Sequence, residues 1–347
     1  MSLLELLEIK HPIFLAPMAG VSTPELTAQV SNQGAFGSLG LGANTPETAK
    51  IQILETQQLT KQPFQVNFFC HQPTTLNPEI AQQWIDYLRP EFAKFAAEPP
   101  TQLKPIYPSF LENDDFLNVV LETKPKAVSF HFGIPHAHQI QALKQAGIIT
   151  MVSATNLMEA RLIEAAGIDV IIAQGIEAGG HRGIFNQQID AAIKTSDLVQ
   201  LLAQHCHLPI VAAGGIMNGE QAKNMLKRGA SAVQLGTAFV QCKSSNASAD
   251  YRKMLFSQNL TQISACLSGR PARCLLGTWH TQLDQPNRPP LPAYPYVYDI
   301  TKQLISVAQQ QGDIGYNAFW AGSNVAQIRE LEAADLINQL VLEMKTN

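Results

Sequence analysis

The sequence predicts an α/β fold, a (β/α)8 TIM barrel with an added C-terminal substrate or cap domain. Eight short apolar runs alternate along the chain with longer segments of helical character, which is the pattern of βα units around a parallel sheet. Several runs lack alternating polarity, as strands do when helices cover both faces of a sheet. No G-x-G-x-x-G fingerprint follows the first run, and this favours a barrel over an open dinucleotide-binding sheet.

The apolar runs and the capping residues assign the elements in chain order. Strands are predicted at residues 13–17, 35–40, 64–69, 127–132, 148–153, 170–175, 209–214 and 232–236. Helices are predicted at 24–32, 46–58 and 156–166, with Thr23, Thr45 and Asn156 well placed as N-caps. The connection between the third and fourth strands is long enough for two more helices, around 78–97 and 113–123.

The alternation stops near Gln241, and a different composition follows. Small polar residues occupy 244–250, and a proline-rich stretch runs from 286 to 295. From about 324 to 344 apolar residues again recur with a helical period. We therefore predict a barrel of residues 1–240 plus about 320–347, with the final helix packed on it, and a cap of residues 241–319.

Composition and charge exclude several classes of function. The 347 residues carry 24 Lys and Arg against 28 Asp and Glu, a net charge of −4, without the basic cluster that nucleic-acid binding needs. No apolar run approaches the ~20 residues that span a bilayer, and Glu5 and Glu8 interrupt the N-terminal apolar stretch, so we predict a cytoplasmic protein without a membrane partner. The five cysteines include no C-x-x-C pair, so we predict no disulfide framework and no structural zinc. The H-x-H pairs at 136–138 and 205–207 are typical of exposed polar residues, and we predict no metal site there.

Unusual residues gather where the predicted strands end, the edge at which barrel active sites are built. They are Pro17 to Gly20, Asn67, His131, Ser153, Gln174, Gly214, Gly215, Gly236 and Thr237. The loops after the seventh and eighth strands commonly bind phosphate in such barrels. Their small residues, in A-A-G-G-I (212–216) and Q-L-G-T (234–237), let backbone N–H groups approach an anion. A phosphate-bearing cofactor held without lysine is therefore predicted.

The segment Q-G-I-E-A-G-G-H-R-G, residues 174–183, contains a candidate catalytic histidine. Gly179 and Gly180 remove steric constraints directly before His181, so the backbone can pass close to a flat ligand. The loop follows a predicted strand end, which aims the imidazole into the barrel mouth. Arg182 is predicted to lower the proton affinity of this histidine or to neutralise an anion.

Four motifs, in this order along the chain, resemble a known enzyme family. They are P-M-A-G-V-S-T-P-E-L (17–26), P-F-Q-V-N-F-F (63–69), V-S-F-H-F-G-I-P (128–135) and the segment at 174–183. Together they resemble the flavin-dependent nitronate monooxygenases, formerly called 2-nitropropane dioxygenases, and most closely the class I branch. The resemblance implies a barrel that contains FMN and oxidises alkyl nitronates, such as propionate 3-nitronate, with molecular oxygen, by way of a flavin semiquinone. Detoxification is the role that it suggests.

Matching motif positions implies roles for individual residues. His181 would be the catalytic histidine, and the substrate, a small anionic nitronate, would meet His131, Tyr107, Tyr294, Tyr298 and Lys302. FMN would contact Ala16, Pro17, Met18, Asn67, Gln174, Gly179, Gly180, Gly214, Gly215, Gln234, Leu235, Gly236 and Thr237. The second substrate would be O2. We expect the protein to be a monomer or a homodimer.

Tyr294, Tyr298 and Lys302 recur at i, i+4 and i+8 in the predicted cap. They share one face of a helix if Pro295 opens that helix. Such a face could close over an anion, and the alternative is a stripe of aromatic packing. Positive charge and hydrogen-bond donors from His131, His181 and Lys302 suit a nitronate, which already carries its negative charge.

Three other functions fit parts of the sequence. A flavin-dependent enoyl-acyl carrier protein reductase, which needs NAD(P)H, shares an E-A-G-G-H-type loop, and an NADH:quinone reductase uses the same barrel. A flavin-binding module without turnover is the nonenzymatic alternative. Tyr294, Tyr298 and Lys302, together with the polar His131, suit a small anion better than a long acyl chain and favour the nitronate. If a neutral nitroalkane is also used, His181 is the predicted base.

Overall fold

Eight parallel β-strands form a barrel in the computed structural model, which describes residues 1–257 and 259–346. The strands of this barrel and of a second, three-stranded sheet are, in chain order, β1 (Ile13–Leu15), β2 (Gly37–Gly40), β3 (Phe64–Phe69), β4 (Ala127–His131), β5 (Ile149–Ala154), β6 (Val170–Gln174), β7 (Gly180–His181), β8 (Ile210–Ala213), β9 (Ala232–Leu235), β10 (Thr261–Ser264) and β11 (Ala272–Leu275). The barrel follows the order β1-β9-β8-β6-β5-β4-β3-β2. Phe36 closes it: its N–H donates to the Ile13 carbonyl and its carbonyl accepts from the Leu15 N–H, both at 2.9 Å. The predicted barrel and its eight strands are confirmed.

Helices connect the strands, and three of them begin at the predicted N-caps. In chain order they are α1 (Leu3–Leu7), α2 (Pro24–Asn32), α3 (Pro46–Leu59), α4 (Pro78–Ala93), α5 (Asp115–Thr123), α6 (Ala137–Gln145), α7 (Leu157–Ala165), α8 (Thr195–His205), α9 (Gly219–Lys227), α10 (Ala249–Ser257), α11 (Tyr296–Gln310) and α12 (Ala333–Lys345). Thr23, Thr45 and Asn156 each accept a backbone N–H of the first helical turn through the side chain, so the three predicted N-caps are confirmed.

Thr23 also ties α2 to the segment after the last barrel strand. Its Oγ1 accepts from the Leu26 N–H at 3.0 Å and donates to the Ser244 carbonyl at 2.6 Å. We expect Thr23→Ala to lower the free energy of unfolding by about 1–2 kcal/mol, because both bonds are lost. Thr23→Ser keeps both and should stay within about 0.5 kcal/mol of the wild type. Urea unfolding measures the difference, and equal midpoints for the two variants would contradict this assignment.

Helices at the two ends of the chain complete the barrel. Leu3 and Leu7 of α1 pack in the barrel-interior cluster with Phe14 and Phe36, so this helix covers the amino-terminal end of the strands. At the other end of the chain, α12 packs between α9 and α2. The final helix therefore packs on the outer helices of the barrel, and the interior stays accessible from the carboxyl ends of the strands.

A second hydrophobic cluster lies outside the barrel core. It contains Trp279, Val297, Ile300 and Leu304 from the C-terminal part of the chain, together with Trp84 of α4. A three-stranded antiparallel sheet, in the order β10-β11-β7, joins this unit to the loop that carries His181. The boundaries predicted for the cap, 241–319, stay a prediction, and α4 from the connection between β3 and β4 shares its core.

A helix that crosses a bilayer needs about 20 predominantly apolar residues. Among residues 1–257 and 259–346, no helix combines the necessary length with the necessary apolar character.

Candidate active site

A cavity of about 490 Å³ opens at the carboxyl ends of the barrel strands. This volume lies within the range of about 300–1,000 Å³ usual for cofactor and small-molecule sites. Seven of the barrel strands contribute lining residues from their last residues or from the positions directly after them. The eighth strand, β2, contributes Ala43 and Asn44, which lie further along the loop that follows it. The cavity therefore lies where the sequence placed the site.

The loops after β8 and β9 leave backbone donors at one side of this cavity. Gly214 and Gly215 have φ values of +124° and +68°, which favour glycine. A Cβ on Gly215 would lie 2.8 Å from the Glu177 Cβ, so a side chain has no room there. Among the described residues, the N–H groups of Gly215 and Gly236 donate to no protein acceptor. Two free N–H groups beside glycines form a cradle for an anion such as a phosphate.

Two amide side chains offer unpaired acceptors to the same cavity. Gln234 Oε1 is buried without a partner in the described part of the chain. Asn67 Nδ2 donates to the Ser129 carbonyl at 3.1 Å and to its Oγ at 3.0 Å, which leaves Oδ1 available. Buried acceptors of this kind are normally satisfied, so a ligand with N–H or O–H donors fits here.

His181 occupies the edge of the second sheet, where it pairs with Ala272 of β11. Its Nε2 lies 2.9 Å from Ser268 Oγ, and its Nδ1 bonds to no described residue. Burial, then His131 and Arg270, lower its pKa to about 3, so the imidazole is neutral at neutral pH. The ring lies 5.2 Å from Trp320 between centroids. A neutral imidazole with one unoccupied nitrogen therefore lines the cavity.

His131 has both ring nitrogens engaged by the protein. Nδ1 lies 3.0 Å from Ser153 Oγ, and Nε2 lies 3.1 Å from the His181 carbonyl. Because a carbonyl only accepts, Nε2 carries the proton and Nδ1 accepts from the serine. Burial lowers the pKa of His131 to about 4. The residue lines the cavity as predicted, but its polar atoms hold the backbone of His181.

Gln174 supports the same backbone. Its Nε2 donates to the His181 carbonyl at 2.9 Å, and its Oε1 accepts from the Gly183 N–H at 2.7 Å. Its Oε1 also accepts from Arg182 Nη1 at 3.1 Å. Most of its hydrogen-bonding capacity is therefore spent on the loop, and one N–H remains for a ligand.

The prediction that Arg182 lowers the proton affinity of His181 or neutralises a bound anion is wrong. Its side chain is fully buried behind the loop, where it pairs with Asp190 at 2.8 Å and donates to the Gly175 carbonyl at 2.7 Å. The charge beside the histidines comes instead from Arg270, which the sequence analysis missed. Its guanidinium stacks on Phe132, 4.2 Å from the ring centroid, and has no carboxylate partner in the described part of the chain.

Four predicted substrate residues form an aromatic and cationic wall. Tyr107 and Tyr298 have ring centroids 5.2 Å apart, and Lys302 Nζ lies 5.0 Å from the Tyr107 centroid. Burial raises the pKa values of Tyr294 and Tyr298, so both stay protonated phenols. The expectation that all three cap residues share one helix is wrong for Tyr294, because α11 begins after Pro295. The residue nevertheless lines the cavity from the preceding loop.

The structure brings almost the whole predicted set together. The cavity is lined by His181, His131, Tyr107, Tyr294, Tyr298, Lys302, Ala16, Pro17, Met18, Asn67, Gln174, Gly179, Gly180, Gly214, Gly215, Gln234, Gly236 and Thr237. Leu235 is the exception. Its side chain packs in the main core, because alternate residues of β9 point to opposite sides and Gln234 faces the cavity.

Two residues outside the predicted site set line or support the cavity. Trp320 lies beyond the predicted cap and reaches the cavity only through the tertiary fold. Phe132 has φ +75°, a strained conformation for an aromatic residue, and its ring packs on His131 and Tyr294. A strained residue at the end of a barrel strand is typical of a functional site.

Comparisons with known proteins identify the family. The family model for nitronate monooxygenase matches residues 1–343. The nitronate monooxygenase of Pseudomonas aeruginosa is 50% identical over 343 residues, 98% of each chain. That of Paraburkholderia phytofirmans is 49% identical over 348 residues, 99% of this chain and 95% of the relative.

The chain belongs to the nitronate monooxygenase family. It is an oxidoreductase of a flavoenzyme family whose general reaction is the oxidation of nitronates. The resemblance carried by the four motifs is thereby confirmed.

Solved structures of similar fold cover almost the whole chain. A nitroalkane oxidase from Streptomyces ansochromogenes aligns with a TM-score of 0.89 and 35% identity, over 99% of this chain and 98% of that one. FabK from Thermotoga maritima aligns with a TM-score of 0.75 and 26% identity, over 99% of this chain and 96% of that one. The family fold therefore extends over the whole described chain.

Proposed function

We propose that this protein uses FMN to oxidise small alkyl nitronates with molecular oxygen. The observation that carries the proposal is one cavity that combines an anion cradle at Gly215 and Gly236 with unpaired amide acceptors and a neutral histidine. The phosphate of FMN suits the cradle, and the single N–H of its flat ring and the hydroxyls of its ribityl chain are donors that suit Asn67 and Gln234. When bound, FMN supplies the group that accepts electrons from the substrate and passes them to oxygen.

The protein residues hold the substrate and control the charge around it. A nitronate is already an anion, so its oxidation needs no proton abstraction. The Tyr294 and Tyr298 hydroxyls are neutral donors, and Lys302 and the buried Arg270 supply positive potential in a site of low polarity. The apolar faces of Tyr107 and Trp320 exclude water from the same space. The site thus favours a small anion over a long acyl chain.

Lys302 lies where a second negative group of the substrate would bind. Its Nζ rests against the rings of Tyr107 and Tyr298 and has no carboxylate partner in the described part of the chain. We expect Lys302→Met to raise KM for propionate 3-nitronate about 10- to 100-fold, since a charge-assisted hydrogen bond to the substrate carboxylate is lost. The KM for propyl nitronate, which lacks the carboxylate, should change by less than about threefold. Equal changes for the two substrates would refute a carboxylate-binding role.

A second activity, on neutral nitroalkanes, is favoured by the free Nδ1 of His181. A neutral imidazole nitrogen can take the proton from the carbon next to the nitro group and so form the nitronate within the site. The solved relative from Streptomyces ansochromogenes, named a nitroalkane oxidase, supports this second candidate.

Oxygen uptake and flavin analysis test the proposal. The purified protein should release FMN on denaturation, and oxygen should be consumed when propionate 3-nitronate is added. NADH alone should cause no uptake above the blank. Rapid oxidation of NADH without turnover of the nitronate would move the assignment to the reductases. A purified protein without flavin that takes up no FMN would contradict the cofactor. Location in the cytoplasm and a monomeric or dimeric state stay predictions.

A further inference from the structure

The hydroxyl of Ser268 contacts three groups at once behind His181. Its Oγ lies 2.9 Å from His181 Nε2, 3.1 Å from the Arg270 carbonyl and 3.2 Å from the Arg270 N–H. The serine is fully buried. Neither the sequence motifs nor the comparisons assign it a role.

The position of this hydroxyl is fixed by the surrounding backbone. The N–H groups of Ser268 and Gly269 donate to the Ala265 carbonyl at 3.2 Å and 2.7 Å. Gly269 has φ +90°, and a Cβ there would lie 3.0 Å from the Tyr294 nitrogen. The Arg182 N–H donates to the Pro271 carbonyl at 2.8 Å, which ties the turn to the His181 strand. These bonds tie the backbone around Ser268 to the strand that carries His181.

The donor in each contact follows from which of the groups carry a proton. The Arg270 N–H can only donate, and the Arg270 carbonyl can only accept. Within the described chain, Ser268 Oγ is the one donor that reaches this carbonyl. If the hydroxyl proton goes to the carbonyl, the serine oxygen accepts from both Arg270 N–H and His181 Nε2–H, and all three contacts are satisfied. If it goes to the imidazole, the buried Arg270 carbonyl loses its partner, which is unfavourable.

We propose that Ser268 holds His181 as the Nε2–H tautomer and so makes Nδ1 the proton acceptor of the cavity. Ser268 is thus a positioning residue, and it determines whether the histidine can serve as a base. The groups around the ring agree with a neutral imidazole: His131 is neutral, Tyr294 and Tyr298 are phenols, and Arg270 adds positive charge.

The consequence for the substrate rests on the proposed function. With a neutral nitroalkane, the bond between the α-carbon and its hydrogen breaks, and the proton passes to Nδ1. The electron pair of that bond moves into the nitro group, which gives the nitronate, and His181 becomes an imidazolium that keeps its Nε2–H bond to the serine. The opposite tautomer would present an N–H to the substrate and could not accept this proton.

The tautomer can be measured directly in the holoenzyme by NMR with ¹⁵N-labelled histidine. The His181 signals are assigned by their loss in His181→Asn. We expect the wild type to show a protonated Nε2 and an unprotonated Nδ1, and Ser268→Ala to shift His181 toward the Nδ1–H form. A wild type with protonated Nδ1, or an unchanged pattern in Ser268→Ala, would overturn the proposal.

Ser264→Ala is the matched control. Ser264 Oγ donates to Asp284 at 2.8 Å and accepts from the Cys266 N–H at 3.1 Å, in the same unit but away from the cavity. It should keep the wild-type pattern at His181. The same shift in both variants would mean that general loosening, and not the serine contact, sets the tautomer, and this would also overturn the proposal.

Kinetics separate positioning from a structural role. We expect Ser268→Ala to lower kcat/KM for a neutral nitroalkane about 10- to 100-fold, and to leave kcat/KM for the corresponding nitronate within about threefold. Equal losses on both substrates would overturn the positioning role. If the wild type turns over no nitronate, the proposed function fails, and the NMR result still decides the tautomer.

Discussion

Replacing His181 with asparagine should abolish most turnover of a neutral nitroalkane. The free Nδ1 is the base that the site offers, and a positioned general base contributes about 10²- to 10⁴-fold to a rate. We expect a loss of this size in kcat/KM for nitroethane. The loss for ethyl nitronate should be about tenfold or less, since its proton has already left. Oxygen uptake with each substrate, at equal flavin content, measures both values.

The acid side of the pH profile gives a second check on His181. Its pKa is lowered to about 3 by burial and nearby charge, so the imidazole stays unprotonated well below the ordinary value of 6.5. Nitroalkane turnover by the wild type should therefore not fall as the pH passes downward through 6.5. Loss of activity centred near 6.5, or His181→Asn activity equal to that of the wild type on both substrates, would contradict the assignment.

Replacing Gly215 with alanine should release the cofactor. The new Cβ would lie 2.8 Å from the Glu177 Cβ and 3.1 Å from Asn324 Nδ2. Neither neighbour is free to move: Glu177 accepts from Thr195 N–H at 2.8 Å, and Asn324 donates to the Gly215 carbonyl at 2.6 Å. The loop must shift, and we expect the Kd for FMN to rise by at least about tenfold, which corresponds to 1.4 kcal/mol.

Gly147→Ala is the control for backbone strain. Gly147 has φ +73°, similar to +68° at Gly215, but a Cβ there meets nothing within 4 Å. It lies in the turn before β5, away from the cavity. The substitution should cost about 1 kcal/mol of stability and leave FMN binding unchanged. Equal FMN affinity in the two variants, measured by fluorescence titration of the flavin-depleted proteins, would refute the cradle.

The sequence was sufficient for the barrel because its signals are local. The strands of residues 127–131 and 170–174 are apolar runs bounded by turns, and Thr23 caps α2 as its side chain predicts. The site positions follow from the same logic, since parallel strands end at one edge and bring His131, Gln174 and Gly215 together.

The remaining features depend on contacts between distant segments. Arg182 follows His181 directly, but the strand alternation turns its side chain away from the cavity, toward Asp190. Arg270 and Ser268 reach the histidine only because β11 pairs with β7. No periodicity in the sequence predicts this pairing, because β7 has only two residues and β11 lies about 90 residues further along the chain. The proposed tautomer of His181 depends on that pairing.

The most direct test of nitronate oxidation is a spectrum recorded without oxygen. The purified flavoprotein is mixed anaerobically with propionate 3-nitronate in one cuvette and with NADH in another. The account predicts that the nitronate changes the visible flavin absorption within the time of one catalytic turnover. NADH should leave the absorption unchanged. Rapid bleaching by NADH, with no response to the nitronate, would contradict it.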